Sequence, residues 1–226
     1  MNKGIEIAQA KSDLFQLLSI AFSYPTEELA KGLLEGSFQS DLDSCLKSVA
    51  KNNTFFEEPL KHLYNFWVND EKSSYGEILR EMRIEYTWLF IGPKKAVVYP
   101  YESMYCDSPS EWGDVLLMVG PSAEEVKREY KDVNFKVGLN DKEPPDFIAT
   151  ELEFLMSLYF KEANSLENGN DEEAKQWRLI AESFMIKHLN KWGELFCRDV
   201  YKNTRHQFYK NLAQIAEGII ESDNRR

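Results

Sequence analysis

Two carboxylates set across a Pro-Pro step, Glu143 and Asp146 in the segment EPPDFIATELEFL, are the residues best placed to receive a cation. Pro144 and Pro145 stiffen the backbone between them, and two acids held close are what a guanidinium needs for paired charge-assisted hydrogen bonds. The same residues also have a purely structural reading, in which Asp146 caps the helix that follows and Glu143 is a solvated loop acid. A second constellation lies in EYTWLFIGPKKAVVYPYESMYCDSP, from Glu85 to Pro109. After Pro100, the side chains of Tyr101, Glu102, Ser103 and Tyr105 crowd one turn, with Trp88 and Phe90 upstream. Such aromatic density in a proline-held loop either caps the core through the tyrosine hydroxyls or forms a rigid wall for a ligand. On the second reading, Phe147 adds to an apolar floor.

Other chemistries lack their residues. His62, His188 and His206 are isolated in sequence, with no HExxH pair and no cysteine nearby, so a metal site is not expected. Each histidine reads as a surface or partly packed residue of an amphipathic helix. No GxxxxGK[ST] or GxGxxG run offers a phosphate cradle, and no GxSxG offers a nucleophile elbow. Cys106 has no partner base and reads as a partly buried structural thiol. No catalytic residue, cofactor or metal is expected.

The elements that must position these loops are helical. Leu14, Leu17, Leu18, Ala21 and Phe22 share a face until Tyr24-Pro25 stops the helix. Thr26 reopens a short helix closed by Gly36, and Leu42, Cys45, Leu46 and Val49 form the next stripe. Three capping boxes are expected, at Thr54 with Glu57, Ser74 with Glu77, and Ser122 with Glu125. Beyond them, Leu152 to Tyr159, Trp177 to Phe184, Trp192 to Val200 and Phe208 to Ile219 each carry an apolar face at helical spacing. No segment sustains the alternation of a strand. The expected fold is all-α, with about ten helices in a single domain spanning 1–226: an N-terminal helical lobe of 1–92, a loop-rich middle of 93–146 and a C-terminal lobe of 147–226. The stretch from Gly92 to Asp146 holds six of the eight prolines.

Composition bounds the partners. With 38 acidic against 27 basic side chains the net charge is -11, a field that repels nucleic acid and attracts a cationic peptide. Cys45, Cys106 and Cys197 form neither a disulfide framework nor a CxxC pair, which fits a reducing compartment. The longest wholly aliphatic run, Val115 to Val119, is too short to span a bilayer, so the expectation is a cytoplasmic protein without an integral membrane span.

Taken in order, Leu89-Phe90-Ile91-Gly92-Pro93, then Pro100-Tyr101-Glu102-Ser103-Met104-Tyr105, then Glu143-Pro144-Pro145-Asp146 resemble the TorD/DmsD/NarJ family of redox-enzyme maturation chaperones. Its members show an LFxGP segment, a PxxS-Y turn and an EPxDH helix opening. The C-terminal residues His188, Trp192, Phe196, Phe208, Tyr209 and Leu212 are similar to that family's last helices. The resemblance implies a cofactorless cytoplasmic chaperone, not an enzyme, that binds a molybdopterin oxidoreductase catalytic subunit, often at its twin-arginine signal peptide, and delays export until the cofactor is inserted. It implies a peptide-binding set of Glu143, Pro144, Asp146, Phe147, Pro100, Tyr101, Glu102, Ser103, Trp88 and Phe90. Where the family has Asp-His, this chain has Asp146-Phe147, so the resemblance carries over no role for that histidine. Three alternatives stand beside this reading: a chaperone of the same fold that grips the mature subunit, a nucleotide hydrolase without a P-loop, and a purely structural helical adaptor. Monomer and homodimer are both compatible with it.

Overall fold

Local signals set most helix boundaries. Thr26 accepts a hydrogen bond from the Leu29 amide at 3.3 Å and opens α2 (Glu27–Glu35), which Gly36 closes in a left-handed conformation. Ser74 and Glu77 form the expected reciprocal box at the start of α5 (Tyr75–Tyr86). The computed structural model describes residues 3–50, 53–67, 74–107, 120–138 and 142–224. Among them are eleven α-helices, completed by α1 (Lys3–Phe22), α3 (Ser37–Val49), α4 (Glu57–Trp67), α6 (Ser103–Cys106), α7 (Pro121–Asp132), α8 (Ile148–Glu167), α9 (Asp171–Lys187), α10 (Leu189–Asn203) and α11 (Gln207–Asn224). No strand occurs among the described residues; the one isolated bridge pairs Tyr101 with Phe147 antiparallel. The all-α expectation is met. The aliphatic run from Val115 to Val119 lies outside the described residues, and no helix described is long and apolar enough to cross a membrane.

Two of the three expected capping boxes are corrected. Thr54 lies inside a 3-10 turn, Thr54–Phe56, capped by the Asn53 side chain on the Phe55 amide at 3.1 Å. Pro121 opens α7 one residue before Ser122, because proline is favoured at the first helical position. Ser122 turns instead to Asp107, whose carboxylate accepts its amide at 3.2 Å and its hydroxyl at 2.5 Å.

The chain divides into two compact units that cut across the expected lobes. The first unit is Met1–Ser19 with Pro100–Gly193; the second is Ile20–Tyr99 with Glu194–Arg226. The reason is visible in α1. Ser12 and Ser19 donate to the Met156 and Ala149 carbonyls of α8 at 3.1 and 2.7 Å, whereas Phe22 sets its ring 5.4 Å from Phe196. One helix therefore serves both units.

In the first unit α8 packs along α9, and Tyr130, Phe135, Phe154 and Phe184 form an aromatic core with centroids 4.7 to 5.1 Å apart along the Phe154 contacts. In the second, α2 packs on α3 and α5, and α4 on α11. Glu85, buried on α5, accepts from the Thr204 hydroxyl at 2.7 Å and the Arg205 amide at 2.6 Å, tying down the turn between α10 and α11. After α5 the chain widens into a π-helical turn, Thr87–Ile91, which ends at Gly92. Gly92 has φ +65°, and a Cβ there would meet the Lys95 carbonyl oxygen. The glycine of LFIGP is therefore a steric requirement, and it lets Val97 and Val98 donate back to the Leu89 carbonyl at 2.9 Å.

Candidate peptide-binding site

Within the first unit two loops meet edge to edge. The Glu102 amide donates to the Asp146 carbonyl at 3.1 Å and the Ile148 amide to the Pro100 carbonyl at 2.9 Å, so Pro100–Glu102 runs antiparallel to Asp146–Ile148. Proline-fixed dihedrals on both segments pre-set this pairing. Eight of the ten expected residues thus come together: Pro100, Tyr101, Glu102, Ser103, Glu143, Pro144, Asp146 and Phe147. Trp88 and Phe90 belong to the second unit. There the Arg205 guanidinium stands 3.9 Å from the centroid of the half-buried Trp88 ring, and Phe90 is a core residue beside Tyr86, Phe196 and Tyr209.

Burial sorts the eight further, and it corrects the picture of an open wall. Asp146 is 0% exposed and does not cap α8, whose first turn follows Phe147 without a side-chain cap. Its Oδ2 accepts the Ser103 amide at 2.9 Å, so it holds the first turn of the short helix α6 from across the loop pair. Phe147, 1% exposed, packs its ring 5.7 Å from Tyr101, and Glu102 and Ser103 are likewise buried. What faces solvent is the rim: Glu143 is exposed, Tyr101 and Pro144 are partly so, and the Tyr101 hydroxyl donates to Glu143 Oε2 at 2.9 Å.

Beneath the rim lies an acidic box that the sequence reading missed. Glu102 Oε2 lies 2.8 Å from His188 Nδ1, and the Trp192 indole donates to Glu151 Oε2 at 3.3 Å. The other imidazole nitrogen, Nε2, stands 3.6 Å from Glu129 Oε1, beyond hydrogen-bond reach but within strong charge attraction. Lys187 supplies that glutamate with a direct partner at 2.9 Å. Burial by itself pushes the imidazole down, yet the carboxylates of Glu102 and Glu129 outweigh it and hold His188 at a pKa of about 9. Burial raises Glu151 well above the ordinary carboxylate range, and the neighbouring charges of Glu102 and Asp146 raise it further. Asp146 is also raised, by burial first, against the lowering effect of its Ser103 hydrogen bonds. His188 is therefore fully buried, not a surface or partly packed residue. Cys106 is exposed as a residue, yet partial desolvation of its sulfur and then the neighbouring charge of Glu102 raise its pKa to about 11, which keeps it a thiol.

A signal for the box was present in the sequence. Glu151 falls inside the apolar face of α8, with Ile148, Leu152 and Leu155, and His188 continues the face of α9 marked by Ala181 and Phe184. A titratable residue on an apolar stripe needs a buried partner. Neither partner is close in sequence.

Helices hold these two loops in register, with an exposed acid at the rim and a sealed charge network behind it. The chain belongs to the nitrate reductase delta subunit family, whose profile matches residues 49–198. It is similar to the chaperone protein TorD of Shewanella pealeana, with 25% identity over 96% of this chain and 89% of the relative. It is also similar to the selenate reductase assembly chaperone protein of Thauera selenatis, with 32% identity over 52% of this chain and 56% of that one. A third relative, the chlorate reductase assembly chaperone protein of Ideonella dechloratans, is 29% identical over 42% of this chain and 49% of its own. These findings bear out the family resemblance carried by LFIGP, PYESMY and EPPD.

Proposed function

We propose that this chain is a cytoplasmic assembly chaperone, acting by binding and not by catalysis, for a molybdopterin-containing oxidoreductase. It engages the twin-arginine signal peptide of that client and delays export until the cofactor is inserted. The observation that carries the reading is the rim of the first unit, where Glu143 is exposed, oriented by Tyr101 and flanked by Pro144. A guanidinium docked there finds a carboxylate already aimed, beside an aromatic ring against which apolar residues of the peptide can lie. The net charge of -11 adds long-range attraction for a cationic peptide. The sealed acids behind the rim act by fixing the loops, with Asp146 on Ser103 and Glu102 on His188.

The test is titration calorimetry of the full chain with a twin-arginine signal peptide and with its Lys-Lys counterpart. Binding in the micromolar range, about -8 kcal/mol, is expected for the arginine peptide, weaker for lysine and weaker in salt. No heat at low ionic strength with either peptide would direct the search to the mature catalytic subunit as the bound form.

A further inference from the structure

The outward face of α5 in the second unit carries a different preference. Gly76, Arg80, Arg83 and Ile84 of that helix and Thr87 just beyond its end lie along one side, and together with Tyr24 and Leu79 they line a solvent-open cavity of about 500 Å³. Among the described residues none that lines it is acidic, in a chain whose net charge is -11. Arg83 is held in place: its Nε donates to the Pro25 carbonyl at 3.0 Å, and the guanidinium stands 5.2 Å from the Tyr24 ring centroid. Among the described residues its two terminal nitrogens have no hydrogen-bond acceptor. Arg178 and Arg198 each have glutamate partners, but among the described residues neither Arg80 nor Arg83 has a carboxylate partner. Beside these cations Ile84 is 60% exposed and Tyr24 48% exposed.

We infer that this face is a second recognition surface, for a polypeptide segment in which carboxylates stand next to apolar side chains. A small anion would use the guanidiniums and leave Ile84 and Tyr24 in water. An acidic–apolar segment satisfies both, with its carboxylate bridging Arg80 and the preset fork of Arg83 and its apolar neighbours covering Ile84 and the tyrosine ring. Its charge preference is the reverse of the Glu143 rim, so the two surfaces select different stretches of chain. The inference rests on the chaperone reading only in taking a polypeptide as the occupant.

The test is fluorescence anisotropy of the full chain with a fluorescein-labelled dodecapeptide in which glutamates alternate with leucine and phenylalanine. Saturable binding is expected, weakened about tenfold by Arg80→Gln and severalfold by Ile84→Ser, with melting temperatures unchanged because both side chains are exposed. A peptide with glutamine for each glutamate should also bind about tenfold more weakly. Should Arg83→Gln lose the Pro25 contact and fold poorly, Arg83→Lys, which keeps the charge but not the fork, should still weaken binding. The inference is overturned if the wild-type chain does not bind the acidic peptide, if Arg80→Gln binds it equally well, or if millimolar inorganic phosphate displaces it completely. Competition by a twin-arginine peptide would also overturn it. Retention of acidic-peptide binding by a chain that ignores twin-arginine peptides would support this surface and reject the proposed use of the Glu143 rim.

Discussion

His188 Nδ1 lies 2.8 Å from Glu102 Oε2, with both side chains shut away from solvent. The contact joins the turn after Pro100 to the residue that ends α9, and it places one cation between Glu102 and Glu129. Removing one partner of such a pair leaves an uncompensated buried charge, which costs far more than an exposed ion pair contributes. The loop that presents the rim is therefore anchored by electrostatics sealed inside the unit.

The first prediction follows from the raised pKa of His188. A group with a folded-state pKa of about 9 against an ordinary 6.5 gives stability that is complete below pH 6.5 and lost as pH rises through 9. Asp146 and Glu151 are raised as well, so their contributions also fade as pH rises. Thermal melts should show stability falling between about pH 6.5 and 9, and His188→Gln should remove roughly 2–3 kcal/mol at neutral pH and flatten that slope. A variant that keeps the full alkaline slope would assign it to other groups.

The second prediction separates the two acids of the Pro-Pro step. Glu143→Gln should leave the melting temperature within a degree or so, because the residue is exposed, and should weaken twin-arginine peptide binding about threefold to tenfold. Asp146→Asn keeps an oxygen to accept the Ser103 amide and should leave peptide binding unchanged, since Asp146 is sealed. Calorimetry on both single variants decides it; a large loss in Asp146→Asn alone would show that the loops open to receive the peptide.

Glycine 92 supplies the third. Gly92→Ala forces a Cβ against the Lys95 carbonyl at a positive φ, and chemical denaturation should report a loss of at least about 1–2 kcal/mol. An unchanged midpoint would mean that the segment after the π-helical turn rearranges at little cost.

The fourth concerns the aromatic core of the first unit. Phe154 is fully buried among Tyr130, Phe135 and Phe184, so Phe154→Ala should cost about 3–5 kcal/mol in equilibrium unfolding. A loss under about 1 kcal/mol would indicate that the neighbouring rings collapse into the space.

Much of this protein was legible in its order of residues. Thr26, Gly36 and the Ser74–Glu77 box act within a few residues of chain, and apolar stripes at helical spacing read directly as α3, α8, α9, α10 and α11. The proline-held loops and the Gly92 turn were equally plain, because backbone restriction is a property of the residue itself. Tertiary structure alone decided which side chains face water and which charges meet. Asp146 looks like a helix cap in sequence, but the Ser103 amide that claims it arrives from forty-three residues away. Glu102 finds His188 across eighty-six residues, and α1 is shared between two units because its two ends bury against different partners. Burial and pairing of charge depend on distances through space, and those distances exist only once the helices have packed.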